Sequence, residues 1–395
     1  MRSIGIDAIA LAVPESYLEL ADLAQARGVA PAKYTEGLGV HRMAIARPHE
    51  DPVALAANAA RRLLTRASVD PARIGLCVVG TETGVDHSKP VAAWLHRLLE
   101  LPQRCRVYEA KHACYGGTAG VLTAVDWIAS GSARGRSALV VCTDIARYEL
   151  GSAGEPTQGA GAVALLVSES PRLFALEPGV TGSFARDVDD FWRPLYRREA
   201  LTDGHYSVQC YLDALAGTYA AWKEASREAR LDGPLARRCY HVPYGKMARK
   251  AHRHAMQLDG ASEEEADASF AEAVAPSLRI PAQVGNIYTG SLWMALASLL
   301  EAESAQLEGR RVGLFSYGSG CQGEFFAGSV PEGGGAFAAQ LKISEPLERR
   351  QRLSFPDYEA IRRGDMEADR RPAAPVEGAG VRYLGLKDEK RVYIY

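Results

Sequence analysis

A cysteine stands where an extended run gives way to small residues, in Glu109-Ala110-Lys111-His112-Ala113-Cys114-Tyr115-Gly116-Gly117-Thr118. A thiol at the start of a helix meets free N–H groups and the positive end of the helix dipole, which favour thiolate over thiol. Gly116 and Gly117 are poor helix formers, and they fit a first turn whose backbone a ligand approaches closely. The alternative for the same segment is a buried, inert thiol, and Cys77, Cys142 and Cys210, set inside apolar runs, are read that way. Glu82, in Thr81-Glu82-Thr83-Gly84-Val85-Asp86, directly follows an apolar run. The C-terminal ends of strands are where α/β sheets place ligands, and a carboxyl there can act as general acid or base if burial raises its pKa. A helix cap or solvated turn is the other reading. His241 also ends an apolar run, before Pro243 and Gly245 impose a loop. A neutral imidazole there could polarise a carbonyl or accept a thiol proton; a core histidine bonded to backbone has the same signature. Lys246, Arg249, Lys250 and Arg253 share a helical face, suited to phosphates or simply to solvent. The glycines of Gly159-Ala160-Gly161 and Gly318-Ser319-Gly320 permit turns with exposed N–H groups, as an oxyanion needs, and as plain turns also show. No GxGxxG, P-loop or HExxH pattern occurs, so neither a nucleotide cofactor nor a metal is expected.

The elements that must position these residues are legible as short apolar runs between helical stretches. Residues 74–80, 138–142 and 163–167 read as strands buried on both faces, and 119–129 as a helix buried all round. Residues 53–64 and 90–99 read as amphipathic covering helices. The second half has a short strand ending at 239–242, an apolar helix at 287–300 and a strand at 311–317. Thr143 lies 29 positions after Cys114, and Ser316 lies 30 after Asn286. The matching offsets imply an internal duplication of one α/β module. Two buried helices back to back between two sheets give five layers, α/β/α/β/α. Residues 225–238 and 259–275 read as charged helical excursions, the chain after Val330 as a peripheral appendage, and Arg391-Val392-Tyr393-Ile394-Tyr395 as an edge strand of the main body.

Composition narrows the class. The 395 residues carry 46 Lys and Arg against 48 Asp and Glu, which argues against a nucleic-acid binder. No run approaches membrane-spanning length, and Asp7 falls where a signal peptide would need its apolar core, so no membrane association is expected. Seven cysteines at wide spacing, with no CxxC pair, fit reduced thiols in a cytoplasmic protein.

Seven segments, taken in order, resemble the 3-hydroxy-3-methylglutaryl-CoA synthases of the thiolase superfamily. They are Gly80-Thr81-Glu82-Thr83-Gly84, Ala113-Cys114-Tyr115, Gly154-Glu155-Pro156-Thr157-Gln158-Gly159-Ala160-Gly161-Ala162, Asp190-Phe191-Trp192-Arg193-Pro194, His241-Val242-Pro243, Gly285-Asn286-Ile287-Tyr288-Thr289-Gly290-Ser291 and Phe315-Ser316-Tyr317-Gly318-Ser319-Gly320. The resemblance implies the duplicated thiolase-like five-layer fold, with halves at 1–170 and 171–395. It implies condensation of acetyl-CoA with acetoacetyl-CoA and water, with no cofactor beyond the CoA thioesters that are substrates. Position by position, it implies Cys114 as nucleophile, Glu82 as general acid and base, and His241 as the group that binds and polarises the acetoacetyl thioester. Asn286 would contact that substrate, and the Ser319 N–H would donate to the oxyanion. Tyr115, Thr157 and Ser207 fall among the substrate- and product-binding positions, and Lys246 and Lys250 near the CoA arm and phosphates. Asp144 and Asp190 match acidic positions behind these. A homodimer is implied by the same analogy. Two departures stand out: Gly116 and Gly117 where bulkier small residues are usual, and Cys321, which is similar to relatives that install polyketide β-branches using acyl carrier proteins. The segments at 155–162 and 190–194 are more similar to the mevalonate-pathway enzymes, which is the reading preferred; the carrier-protein enzyme is the alternative.

Overall fold

Nine strands form one hydrogen-bonded sheet in the computed structural model, which describes residues 3–228, 230–231 and 234–395. In chain order they are β1 (Ile4–Ala12), β2 (Ile74–Gly80), β3 (Arg106–Ala110), β4 (Ser137–Ile145), β5 (Ala160–Glu169), β6 (Phe174–Ala185), β7 (Arg237–Tyr240), β8 (Arg311–Gly318) and β9 (Gln322–Ser329). β1 and β2 are buried at every position, as expected of strands covered on both faces. The spatial order is β7-β8-β9-β6-β1-β5-β4-β2-β3. From β1 outward the first half runs antiparallel to β5, antiparallel to β4, then parallel to β2 and β3. From β6 outward the second half runs antiparallel to β9, antiparallel to β8, then parallel to β7. The senses match strand for strand as far as β7, and the first half carries one further parallel strand, β3, so the duplication read from the offsets is a duplication of topology over four strands. The two halves meet where Ile4, Gly5 and Ile6 of β1 pair with Leu176, Ala175 and Phe174 of β6.

Five helices complete the layers: α1 (Pro52–Arg66), α2 (Gly116–Ala129), α3 (Gly204–Ser226), α4 (Gly245–Leu258) and α5 (Ser291–Glu303). α1 covers β1, β4 and β5 from one side, while α2 lies against β2, β4 and β5 from the other. α5 packs on β1, β7 and β8, and α3 covers β6 and β9 on the outside. The two inner helices are those that lack a polar face, and ten consecutive residues of α5, Ser291 to Leu300, are buried. The Tyr288–Gly290 turn that opens α5 touches α2, so the starts of both inner helices come together. No helix among the described residues is long and apolar enough to cross a membrane.

Three expectations are corrected. Among the described residues the expected helix over 225–238 does not run past Ser226: α3 ends at Arg227 with φ 60°, and Arg237 begins β7. Charge had suggested exposure, yet Arg237 is buried and paired to Glu303 at 2.7 Å. The C-terminus is a strand, but among the described residues Lys390–Ile394 pairs only with Arg382–Lys387, in a separate hairpin. Its Tyr393 hydroxyl and Arg391 guanidinium bond to Asp51, the N-cap of α1, at 2.6 and 2.9 Å, which holds it there and not on the sheet edge. The appendage after Val330 is not peripheral. Gln351–Arg352 adds a parallel strand beside Ser16–Glu19, and buried Tyr358 donates to Glu155 at 2.9 Å and accepts from Gln158 at 3.0 Å. It therefore braces the 154–158 turn.

Candidate functional site

Cys114 lies in the short turn between β3 and α2, where the Tyr115 N–H donates to the His112 carbonyl at 2.9 Å. Glu82 leaves the end of neighbouring β2. Parallel pairing of these strands brings the two side chains together, and the Cys114 thiol donates to Glu82 Oε1 at 3.4 Å. Burial, then the Glu82 and Asp144 carboxyls, push the thiol well above its ordinary value. This reverses the lowering expected from a helix start: the helix begins two residues later, and burial together with the nearby carboxyls outweighs its end. Burial and then Asp144 push Glu82 up to about 8, against the pull of Arg193. Both groups are thus biased to hold protons.

Asp144, at the end of β4 and fully buried, fixes Glu82. Its carboxylate accepts from the Glu82 N–H at 3.0 Å, from Thr81 at 3.0 Å, from Thr83 at 2.6 Å, and from the Thr289 N–H of the second half at 3.0 Å. It joins the two helix-opening turns and does not line the cavity. Asp144→Ala is expected to lower stability by about 3 kcal/mol, since stranded buried donors cost roughly 1–3 kcal/mol each. Equilibrium denaturant unfolding measures this, and a loss below about 1 kcal/mol would mean that the donors find other partners. The glycines after Cys114 have a related cause. A Cβ on Gly117 would sit 2.5 Å from both the Thr289 carbonyl and Cys142 Sγ, so it is the second half's turn, not a ligand, that needs the space.

A cavity of about 260 Å³ opens above Cys114 and is lined by His241, Asn286, Thr157, Ser207 and Ser319. His241 is held by its own backbone: its N–H donates to the Phe315 carbonyl at 2.8 Å, and its carbonyl accepts from Tyr211 at 2.9 Å. Burial lowers its imidazole to about 3, so the ring is neutral. Asn286 spends its side-chain oxygen on the Tyr288 N–H and the Ser291 hydroxyl, at 2.9 and 2.8 Å, which turns its amide donors to the cavity. Ser319 sits in the turn after β8. That turn presses on the Cys114 turn so closely that a Cβ on Gly318 would lie 2.6 Å from the Tyr115 nitrogen. Asp190 anchors it, accepting from Tyr317 at 2.8 Å, Gly320 N–H at 3.1 Å and Ser207 at 3.1 Å. The remaining wall is aromatic, with Tyr148, Phe191, Tyr211 and Tyr288.

Not every expected residue reaches this cavity. Tyr115 points instead to the Glu324 carboxylate, and Asp144 and Asp190 stand behind the lining. Lys246 and Lys250 lie on α4, whose Met247 reaches the lining. Of the four cations on that helix, Arg253 is paired to Asp267 and Glu263, and Arg249 faces Asp267 and the Phe270 ring, so Lys246 and Lys250 alone of the four lack a carboxylate partner among the described residues. Sequence reasoning assigned no role to the aromatic wall. Phe191 and Tyr288 lay within segments already singled out, whereas nothing adjacent to Tyr148 or Tyr211 marked them.

Comparison with known proteins places these features. Residues 1–171 match the family model for the hydroxymethylglutaryl-coenzyme A synthase N terminal, and residues 174–269 and 254–368 match the C-terminal model. A hydroxymethylglutaryl-CoA synthase from Enterococcus faecalis is 39% identical over 369 residues, covering 93% of each chain. The structure of MvaS in complex with 3-hydroxy-3-methylglutaryl coenzyme A superposes with a TM-score of 0.95 at 50% identity, covering 100% of this chain and 99% of that one. The HMG synthase of the curacin biosynthetic pathway in complex with holo donor-ACP gives 0.94 at 33% identity, covering 100% of both.

Proposed function

The chain belongs to the hydroxymethylglutaryl-CoA synthase family, and on that premise we propose that it condenses acetyl-CoA with acetoacetyl-CoA and water, giving 3-hydroxy-3-methylglutaryl-CoA and CoA by way of an acetyl group carried on Cys114. The observation that carries this reading is the 3.4 Å contact of Cys114 with Glu82, below a cavity that also holds a neutral His241. Cys114 attacks acetyl-CoA as the thiolate, and the proton that its thiol gives up leaves on the departing CoA sulfur. N–H groups of the Ser319 turn face the oxyanion of the tetrahedral intermediate. Glu82 then removes a methyl proton from the acetyl thioester, a weak carbon acid that needs a close and desolvated base. The enolate attacks the ketone of acetoacetyl-CoA, which neutral His241 and the Asn286 amide polarise as donors, and Glu82 returns its proton to the new alkoxide. Water finally cleaves the thioester to Cys114. No cofactor takes part; the CoA thioesters are the substrates. We place the enzyme in the cytoplasm, consistent with its seven free cysteines, and as a homodimer by analogy.

The donor is free acetyl-CoA in the service of mevalonate formation, a reading supported by the higher identity to the MvaS structure than to the curacin enzyme. The two unpaired lysines of α4 form a compact cation pair suited to a small phosphate target, whereas a carrier protein's acidic helix needs a broader basic face. Lys246→Gln or Lys250→Gln is therefore expected to raise KM for CoA thioesters several-fold, about 1 kcal/mol of binding, with kcat spared. Steady-state kinetics decide this, and a fall in kcat at unchanged KM would contradict it. The wider test compares acetyl-CoA with an acetylated acyl carrier protein as donor at matched concentration. Efficient turnover of acetyl-CoA supports the mevalonate reading; turnover of the carrier alone would replace it with the β-branching one.

A further inference from the structure

The Cys114–Glu82 contact is a partition. Cys114 belongs to the lining of the substrate cavity, while Glu82 belongs to a second cavity of about 510 Å³, whose wall carries Lys111, Arg147, Arg193, Arg197 and Arg198. The carboxyls on that wall are Glu82, Asp86 and Glu109. Glu82 is pushed up to about 8, burial also raises Glu109, and Asp86 is occupied by the N–H groups of Ser88 and Lys89 at 2.8 Å. Arg147 and Arg198 are matched from outside the cavity by Asp365 and Asp369. No carboxylate among the described residues lies at ion-pair distance from Arg193 or Arg197, although both are half-buried and the charge of Arg193 acts on Glu82. The cavity therefore keeps a surplus of guanidinium charge beside the general base. Beyond the pull of Arg193 on Glu82, neither acetyl transfer nor condensation calls on that charge, since both substrates are neutral at their reacting ends.

Hydrolysis changes that. The water oxygen joins the acyl carbon, the carbon–sulfur bond breaks, Cys114 sulfur keeps one proton and Glu82 takes the other as a carboxylate appears at the partition. We propose that the second cavity is a carboxylate site, built on Arg193 and Arg197, which draws this newly formed carboxylate away from the thiol and Glu82. The inference rests on the synthase reading above. A guanidinium presents planar donors that match a carboxylate in two-point fashion.

The test follows the fate of the thioester. Wild type, Arg193→Gln, Arg193→Lys and Arg197→Gln are quenched during turnover of acetyl-CoA with acetoacetyl-CoA, and the Cys114 peptide is weighed for acetyl and hydroxymethylglutaryl adducts. Arg197→Gln is expected to acetylate and condense within about threefold of wild type yet to release product about tenfold or more slowly, the worth of a charged hydrogen bond, with the hydroxymethylglutaryl adduct accumulating. Arg193→Gln, whose charge also acts on Glu82, should accumulate the same adduct above pH 8, where the base is free, and Arg193→Lys should recover part of the loss. Independently of any variant, glutarate should inhibit wild type without competing with acetyl-CoA, beyond the effect of sodium chloride at equal ionic strength, and more weakly in Arg197→Gln. Accumulation of acetyl adduct, wild-type release from both glutamine variants, or inhibition by glutarate no greater than by chloride would overturn the site. Failure of the wild type to form any hydroxymethylglutaryl adduct would instead overturn the functional reading itself.

Discussion

Cys114→Ala is expected to abolish acetyl transfer and condensation together, each by on the order of 10⁴-fold or more, since loss of a covalent nucleophile leaves only binding and oxyanion stabilisation. The expectation rests on where the other thiols lie. Cys77 and Cys142 are completely buried in strands β2 and β4, and burial raises both; neither lines the cavity. Cys321, after the Ser319 turn, is also buried and raised, to about 11. No second sulfur can take over the acyl group without rebuilding the core. A variant that keeps even a hundredth of wild-type acetylation in a radiolabel assay would show that Cys114 is not the carrier.

Glu82→Ala divides the reaction where Cys114→Ala does not. Without its base the acetyl-enzyme still forms, because loss of the carboxyl also removes the nearest charge that raises the thiol. Carbon–carbon bond formation is expected to fall by about 10²–10⁴-fold, the usual range for a missing general base. The pH profile carries the same signature. With Glu82 pushed up to about 8, the carboxyl holds its proton below that pH and cannot accept one from the methyl group. Condensation by the wild type should therefore climb as pH rises toward 8, and in Glu82→Gln the residual rate should lose that limb. Equal loss of acetylation and condensation in Glu82→Ala would assign the residue to folding or to the first transfer.

The chemistry was more legible in the sequence than the reasons for its arrangement. Cys114, Glu82 and His241 each follow a strand, and that local pattern is enough to set each of them at the C-terminal end of a strand that has a parallel neighbour. What the pattern cannot carry is the other side of a contact. Gly117 is open to Thr289, and Asp144 is bound to Thr289 across 145 positions, so the purpose of both lies in the second half of the chain. The direction of the Cys114 shift is hidden for the same reason: the helix start is local, whereas the burial that raises the thiol and the carboxyls that add to it come from the packed fold and from β2 and β4. Arg237 misled by its charge, because its partner Glu303 stands on α5. The C-terminal strand was recognisable by composition, but its docking on Asp51 depends on a helix cap more than three hundred residues earlier. The aromatic wall needed the fold to assemble it from four separate segments.

The central claim is that an acetyl group rests on Cys114 during turnover. Incubation with isotopically labelled acetyl-CoA alone, rapid acid quench, proteolysis and mass spectrometry measure it directly. The account predicts one labelled acetyl group per chain, on the peptide that contains Cys114, discharged when acetoacetyl-CoA is added. Label on the Cys77 or Cys142 peptide, or product formation with no label on any cysteine, would contradict it.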